Sequence, residues 1–124
     1  MKDGVLCVRA RLDLAEFRVF NVERSEAPKD CGGFGHKIEE WSPAEWGNAL
    51  AGEVGELCNL LKKIRRGDNV DMMSVGDEAS DVLAYLDLAT ASVGLSLAQA
   101  TVRKWDFISL QRGYEKLLSS RKLK

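Results

Sequence analysis

The sequence predicts one all-α domain over residues 1–124, built as a four-helix bundle. The chain has a usual length for a single domain, and only two of its residues are proline. Apolar residues recur every three or four positions over long stretches, which is the spacing of amphipathic helices. Short connections between such helices favour antiparallel neighbours. The expected helices cover about 10–25, 43–66, 72–93 and 97–119.

The second helix has the clearest boundaries. Ser42, followed by proline at the first helical position and by Glu45 three residues on, makes a capping box. The basic last turn before Gly67 suits the helix dipole, and glycine is the usual residue after a helix. Gly94 and Ser96 mark the end of the third helix and the start of the fourth in a similar way.

Residues 26–41 separate the first two helices. Pro28 and the glycine cluster at 31–35 predict a loop. A loop of this length is uncommon in a compact domain and often forms a functional lid.

Composition excludes several classes of partner. The net charge of -1 gives no support for binding to nucleic-acid polymers or to membrane surfaces. No apolar run approaches the ~20 residues of a membrane span, and the first residues lack the features of a signal peptide. Three cysteines without a CxxC pair favour reduced thiols. We therefore expect a cytoplasmic protein.

Two acidic pairs stand among the apolar positions of the second and third helices. Glu53 and Glu56 are spaced i, i+3, as are Glu78 and Asp81, and this spacing places both carboxylates of a pair on one helix face. Four carboxylates that meet in a bundle interior repel one another unless a cation holds them. Oxygen ligands favour Mg²⁺, with Mn²⁺ as a substitute. The alternative is two solvated pairs on the helix surfaces.

A di-iron carboxylate site is not expected. Such bundles combine glutamates with Glu-x-x-His motifs. The only histidine, His36, falls in the predicted loop.

With these pairs, the segment from about 42 to 110 resembles the MazG-like all-α nucleoside triphosphate pyrophosphohydrolase superfamily. Its signature is Glu-Glu-x-x-Glu, a variable gap, and Glu-x-x-Asp. Glu53-x-x-Glu56 and Glu78-x-x-Asp81 match, whereas Gly52 stands in place of the first glutamate. The dCTP-preferring branch is similar, with Gly-Glu-Val-Gly-Glu-Leu at this point.

The resemblance implies Mg²⁺-dependent hydrolysis of a (deoxy)nucleoside triphosphate to the monophosphate and pyrophosphate, as housecleaning of the nucleotide pool. It implies that the four acids are both the metal ligands and the catalytic residues. One carboxylate that is not fully committed to metal can act as general base, and the sequence leaves open which one. It also implies a homodimer or a dimer of dimers (a homotetramer), in keeping with an apolar content on helices 2 to 4 that exceeds what one such monomer buries.

Other residues are candidates for substrate binding. Lys63 and Lys104 can meet the phosphates, and Lys104 with Asp106 resembles a family pair early in the last helix. Lys63 also suits a solvated position at a helix end. The candidates for holding the base are Trp41, Tyr85 and His36. Tryptophan in a helix is more often core, and a lone loop histidine is usually solvated.

Two other readings remain. The same fold can bind a nucleotide or a protein without turnover, and the missing acid at Gly52 keeps this reading open. A purely structural bundle leaves the interior carboxylates unexplained.

Overall fold

The computed structural model describes residues 11–121, and this range contains four α-helices and no β-strand. The prediction of an all-α chain is thereby confirmed. Two ends differ from the prediction, since α1 begins after 10 and α4 ends before 119. The helices are α1 (Leu14–Glu26), α2 (Pro43–Arg66), α3 (Met72–Ser92) and α4 (Leu97–Arg112).

Local capping explains where α2 begins. The Ser42 hydroxyl oxygen accepts a 3.2 Å hydrogen bond from the Glu45 amide, and the Glu45 carboxylate accepts a 3.0 Å bond from the Ser42 amide. The predicted capping box is therefore present. At the other end, Gly67 adopts a left-handed conformation with φ 91°, which glycine adopts without steric cost.

The fourth helix ends earlier than predicted because the chain reverses at Gly113, which has φ 73°. The following residues fold back onto α4. The buried carboxylate of Asp106 accepts hydrogen bonds from the backbone amides of Leu118, at 2.7 Å, and Ser119, at 3.1 Å. The apolar positions near Leu118 therefore belong to a returning segment and not to a longer helix.

Helix α3 is the central packing partner. It contacts all three other helices, and its most extensive contact is with α2. Within residues 11–121, α2 contacts neither α1 nor α4. The core is correspondingly thin, since Trp46 and Leu88 are its only buried hydrophobic residues in this range. On α2, Val54, Leu61 and Ile64 are 40%, 47% and 39% exposed.

The segment between α1 and α2 is held against both helices. Ser25 and His36 exchange two hydrogen bonds: the His36 amide donates to the Ser25 carbonyl at 2.7 Å, and the Ser25 hydroxyl donates to the His36 carbonyl at 2.8 Å. The Trp46 indole nitrogen donates to the Ile38 carbonyl at 2.9 Å. This segment is therefore a fixed wall against α1 and α2.

Within residues 11–121, no single helix combines the length and the apolar character needed to cross a membrane. The bent pair of α3 and α4 meets those criteria together, by length and composition only, with a 100° bend.

Candidate functional site

The two acidic pairs face each other across the contact between α2 and α3. One carboxylate oxygen from each of Glu53, Glu78 and Asp81 lies within 4.8 Å of the others. Glu56 belongs to the same group, because its carboxylate is close enough to raise the pKa values of both Glu53 and Glu78. We call these four residues the acidic cluster. Three of its carboxylates are placed so that they can hold one metal ion.

The electrostatics of the acidic cluster favour a cation. Glu53 and Glu78 each have one buried carboxylate oxygen (Oε2) without a hydrogen-bond partner in the described part of the chain. The hydrogen bond with Glu56, together with burial and neighbouring negative charges, raises the pKa of Glu53 to about 7. Burial and the charge of Glu56 also raise the pKa of Glu78. Carboxylate oxygens that are crowded and lack donors fit a hard divalent ion.

An aromatic pocket of about 230 Å³ lies directly beside the acidic cluster. Two members of the cluster, Glu53 and Asp81, form part of its wall. Its volume falls below the ~300–1,000 Å³ that is typical for a whole drug-sized ligand, and this suits one planar part of a larger molecule. The aromatic residues in its lining are Phe34, His36, Trp41, Trp46 and Tyr85.

The rings of this pocket pack on one another. The centroids of His36 and Trp41 are 4.3 Å apart in an edge-on arrangement, and those of Trp41 and Trp46 are 4.5 Å apart. Trp46 is only 2% exposed, whereas Trp41 and Tyr85 are half-buried. Trp46 is thus the most buried of these rings, and the more accessible rings pack against it. The Glu40 carboxylate, 2.9 Å from His36 Nδ1, orients the imidazole.

The predicted site residues fall into two groups. His36, Trp41 and Tyr85 line the aromatic pocket together with the two shared acids. Neither Lys63 nor Lys104 is in its lining. Lys63 is half-buried near the end of α2, and Lys104 extends along α4, with Nζ 5.7 Å from the ring centroid of Phe107.

Asp106 also lies apart from the pocket lining. Hydrogen bonds from Ser119 and from the Leu118 amide lower the pKa of its carboxyl group. The role that the structure shows for Asp106 is to hold the returning C-terminal segment. Its predicted contact with substrate stays a prediction, as do those of the two lysines.

Sequence reasoning missed the contribution of α1 to the pocket. Asn21, Arg24 and Ser25 line it from one face of this helix. The Arg24 guanidinium carbon lies 5.3 Å from the ring centroid of Phe34, in a cation–π contact that positions a positive charge at the pocket. The available signal was that Asn21 and Ser25, spaced i, i+4, place two uncharged polar groups on the same face of α1.

Comparisons of the chain with protein-family models, with curated proteins and with solved structures found no match. Function is therefore inferred from the acidic cluster, the aromatic pocket and the spacing of the motifs.

Proposed function

We propose that this protein is a Mg²⁺-dependent nucleoside triphosphate pyrophosphohydrolase of the MazG-like type. It would convert a (deoxy)nucleoside triphosphate to the monophosphate and pyrophosphate, and so remove unwanted nucleotides from the pool. One observation carries the proposal: a carboxylate cluster with two unpartnered buried oxygens shares Glu53 and Asp81 with the wall of an aromatic pocket. A metal–phosphate site and a base site are then contiguous.

The acidic cluster supplies the metal ligands. Glu53, Glu56, Glu78 and Asp81 would hold Mg²⁺, or Mn²⁺ in its place, since all their donor atoms are carboxylate oxygens. When bound, such an ion would neutralise charge on the phosphates and polarise the phosphoryl group whose phosphorus atom water attacks. Unpartnered oxygens at Glu53 and Glu78 are the atoms best placed to gain from such an ion.

Proton transfer falls to the same carboxylates. A member of the cluster that is not fully engaged with metal would accept the proton of the attacking water. The carboxylate that accepts this proton must be ionised, and a bound ion would favour the ionised form of Glu53, whose pKa in the absence of metal is raised to about 7. The four acids are therefore proposed as catalytic residues as well as ligands.

The aromatic pocket would hold the base. Trp41 and Tyr85 are half-buried and can offer ring surface to a planar ligand, while His36 is fixed between Trp41 and Glu40. Base stacking on aromatic side chains tolerates many bases. A base held here directs the phosphates to the acidic cluster, because Glu53 belongs to both sites.

A second copy of the chain would cover the exposed apolar face of α2. The outer face of α2 exposes Val54, Leu61 and Ile64, and no other helix of the described chain except α3 covers α2. Exposed apolar faces of this extent mark interfaces. We propose a homodimer or homotetramer in which antiparallel helices from two copies close the bundle. Lys63 and Lys104 would then meet phosphates.

A non-catalytic nucleotide- or protein-binding module is the second candidate. It is favoured by Gly52, which stands where the family signature has its first glutamate. A Cβ added at this position meets no heavy atom within 4 Å, so space alone does not explain the glycine. In this reading the acidic cluster binds a metal–nucleotide complex and releases it unchanged.

Removal of one charge from the cluster tests the proposal. Glu56→Gln should abolish detectable turnover of nucleoside triphosphates and weaken Mg²⁺ binding in calorimetry by ~10-fold or more, while helix content by circular dichroism is retained. Glu23→Gln, an exposed change on α1, is the matched control and should behave as wild type. Full turnover in Glu56→Gln would show that the site is elsewhere. Tight nucleotide binding by wild type without product would support the binding module.

A further inference from the structure

Asn21 is a buried polar side chain in the wall of the aromatic pocket, and the proposed chemistry does not use it. It is only 4% exposed. It lies on α1 opposite the α3 residues Ala84 and Asp87. A buried amide at the edge of a pocket for planar ligands is positioned to read hydrogen-bonding groups on such a ligand.

The orientation of the Asn21 amide is determined by its neighbours. Its Nδ2 donates to the Ala84 carbonyl at 3.0 Å and to Asp87 Oδ2 at 3.1 Å. An amide nitrogen has two hydrogens, so both are used. Rotation of the amide by 180° would place its oxygen against two acceptors. Oδ1, an acceptor, is therefore the polar atom that remains for the pocket.

A second layer holds Asp87 in place. Asp87 is 1% exposed, and its Oδ1 accepts a 2.7 Å bond from Arg18 Nε. The same guanidinium donates to the Thr90 hydroxyl oxygen at 2.9 Å. Because one carboxylate oxygen is engaged by Arg18 and the other by Asn21, Asp87 presents only acceptors to the amide.

We propose that Asn21 is the specificity-determining residue of the base pocket, and that Asp87 and Arg18 are its positioning residues. Its oxygen would accept a hydrogen bond from an exocyclic amino group on the base. A keto group at the same place would bring two acceptors together in a buried site. This inference rests on the proposed function, since it assumes that the pocket holds a base.

The first test uses wild-type protein and two ligands whose bases differ at this exocyclic group and at the adjacent ring nitrogen N3. The α,β-methylene analogues of dCTP and dUTP carry an amino and a keto group at the same ring position, and neither can release pyrophosphate. With Mg²⁺ present, calorimetry should show that the dCTP analogue binds ~10-fold or more tightly. Equal affinity would overturn the role of Asn21 and leave the proposed function standing. Absence of binding by both would overturn the role of Asn21, and the assay of product formation from all canonical NTPs and dNTPs would then decide whether the proposed function stands.

Two variants then test whether Asn21 and Asp87 cause the difference in affinity between the two analogues. Asn21→Ala should reduce the ratio of the two affinities to within ~2-fold of one. Asp87→Asn should also lower the ratio of the two affinities, by ~10-fold. Arg18 would keep its hydrogen bond to the oxygen of the new amide, so the NH₂ group of that amide would face Asn21. Ser109→Ala, at a buried position on α4 outside the aromatic pocket, controls for lost stability and should keep the wild-type ratio. An unchanged ratio in Asn21→Ala would contradict the proposal.

Discussion

Glu53 and Asp81 reach across the contact between α2 and α3 and belong to two features at once. Their carboxylates lie in the acidic cluster, and both side chains form part of the wall of the aromatic pocket. A ligand that has a planar group at one end and phosphates at the other matches this arrangement.

Binding of Mg²⁺ should depend on pH in a defined direction. The pKa of Glu53 is raised from 4.5 to about 7 in the metal-free protein, so below pH 7 the ion must displace a proton. Affinity should therefore rise with pH up to about 7 and level off above it. Calorimetry in buffers of different ionisation enthalpy should detect proton release below pH 7. Metal binding that is independent of pH would contradict this assignment.

The same pKa shift predicts how the stability of the metal-free protein varies. Between pH 4.5 and about 7 the folded state binds more protons at Glu53 than the unfolded state, so stability falls as pH rises through this window. Glu53→Gln should remove this loss and raise the melting temperature above pH ~7 without Mg²⁺. With saturating Mg²⁺ the order should reverse, because only wild type gains from the ion. Thermal denaturation of both proteins with and without metal measures this.

Trp41 and Trp46 should separate binding from stability. Trp46→Ala removes a fully buried side chain and should cost ~3–5 kcal/mol of unfolding free energy. Trp41→Ala, at a half-buried position, should instead weaken nucleotide affinity by ~10-fold, because a stacking surface is worth ~1–3 kcal/mol per base. Denaturant unfolding and nucleotide titration of both variants give the comparison. A large loss of stability in Trp41→Ala without loss of affinity would make Trp41 a core residue.

The position of the segment between α1 and α2, which carries His36, should depend on the absence of a side chain at Gly33. A Cβ added there would overlap the backbone carbonyl of Ala27, which cannot move as a flexible side chain does. Gly33→Ala should therefore displace the segment that carries His36, destabilise the protein by more than ~1 kcal/mol and weaken nucleotide binding.

Gly52→Ala is the matched control for this change. A Cβ at Gly52 has open space, and alanine is favoured over glycine within a helix by ~0.5–1 kcal/mol. This variant should be as stable as wild type or more stable. Equal behaviour of the two variants would show that the contact between Gly33 and Ala27 is not needed.

Substitution of Asp106 should lower the stability of the protein and leave nucleotide binding unchanged. Asp106→Ala leaves the amides of Leu118 and Ser119 without their acceptor, which should cost ~1–3 kcal/mol. The KM for nucleotide should stay within ~2-fold of wild type if this structural contact is its only role. A large rise in KM at unchanged stability would instead support the predicted contact with substrate.

Local signals in the sequence identified much of the fold and part of the site. The capping box at Ser42 and the i, i+3 acidic pairs depend only on neighbouring residues; the structure contains the capping box and brings three of the four acids, Glu53, Glu78 and Asp81, together. The predicted end of α4 was wrong. The apolar positions after Gly113 have helical spacing, but the chain turns back there and its backbone hydrogen-bonds to Asp106. Gly113 itself was the correct local signal.

The parts that were missed depend on tertiary packing. Asn21 and Arg24 reach the pocket because α1 packs against α3, and no pattern along the chain specifies that contact. The segment with His36 was predicted as a loop of the length that often forms a lid, and its hydrogen bonds to Ser25, which hold it against α1, were not predicted. Contacts between residues that are far apart in the sequence depend on how the helices pack, and local sequence patterns do not specify that packing.

The most direct test of the central claim is to identify the products. Wild-type protein is incubated with each canonical NTP and dNTP and Mg²⁺, and the products are separated by ion-exchange chromatography. The account predicts a nucleoside monophosphate and pyrophosphate in equal amounts, with no product when Mg²⁺ is chelated. Release of orthophosphate, or no hydrolysis of any nucleotide, would contradict it.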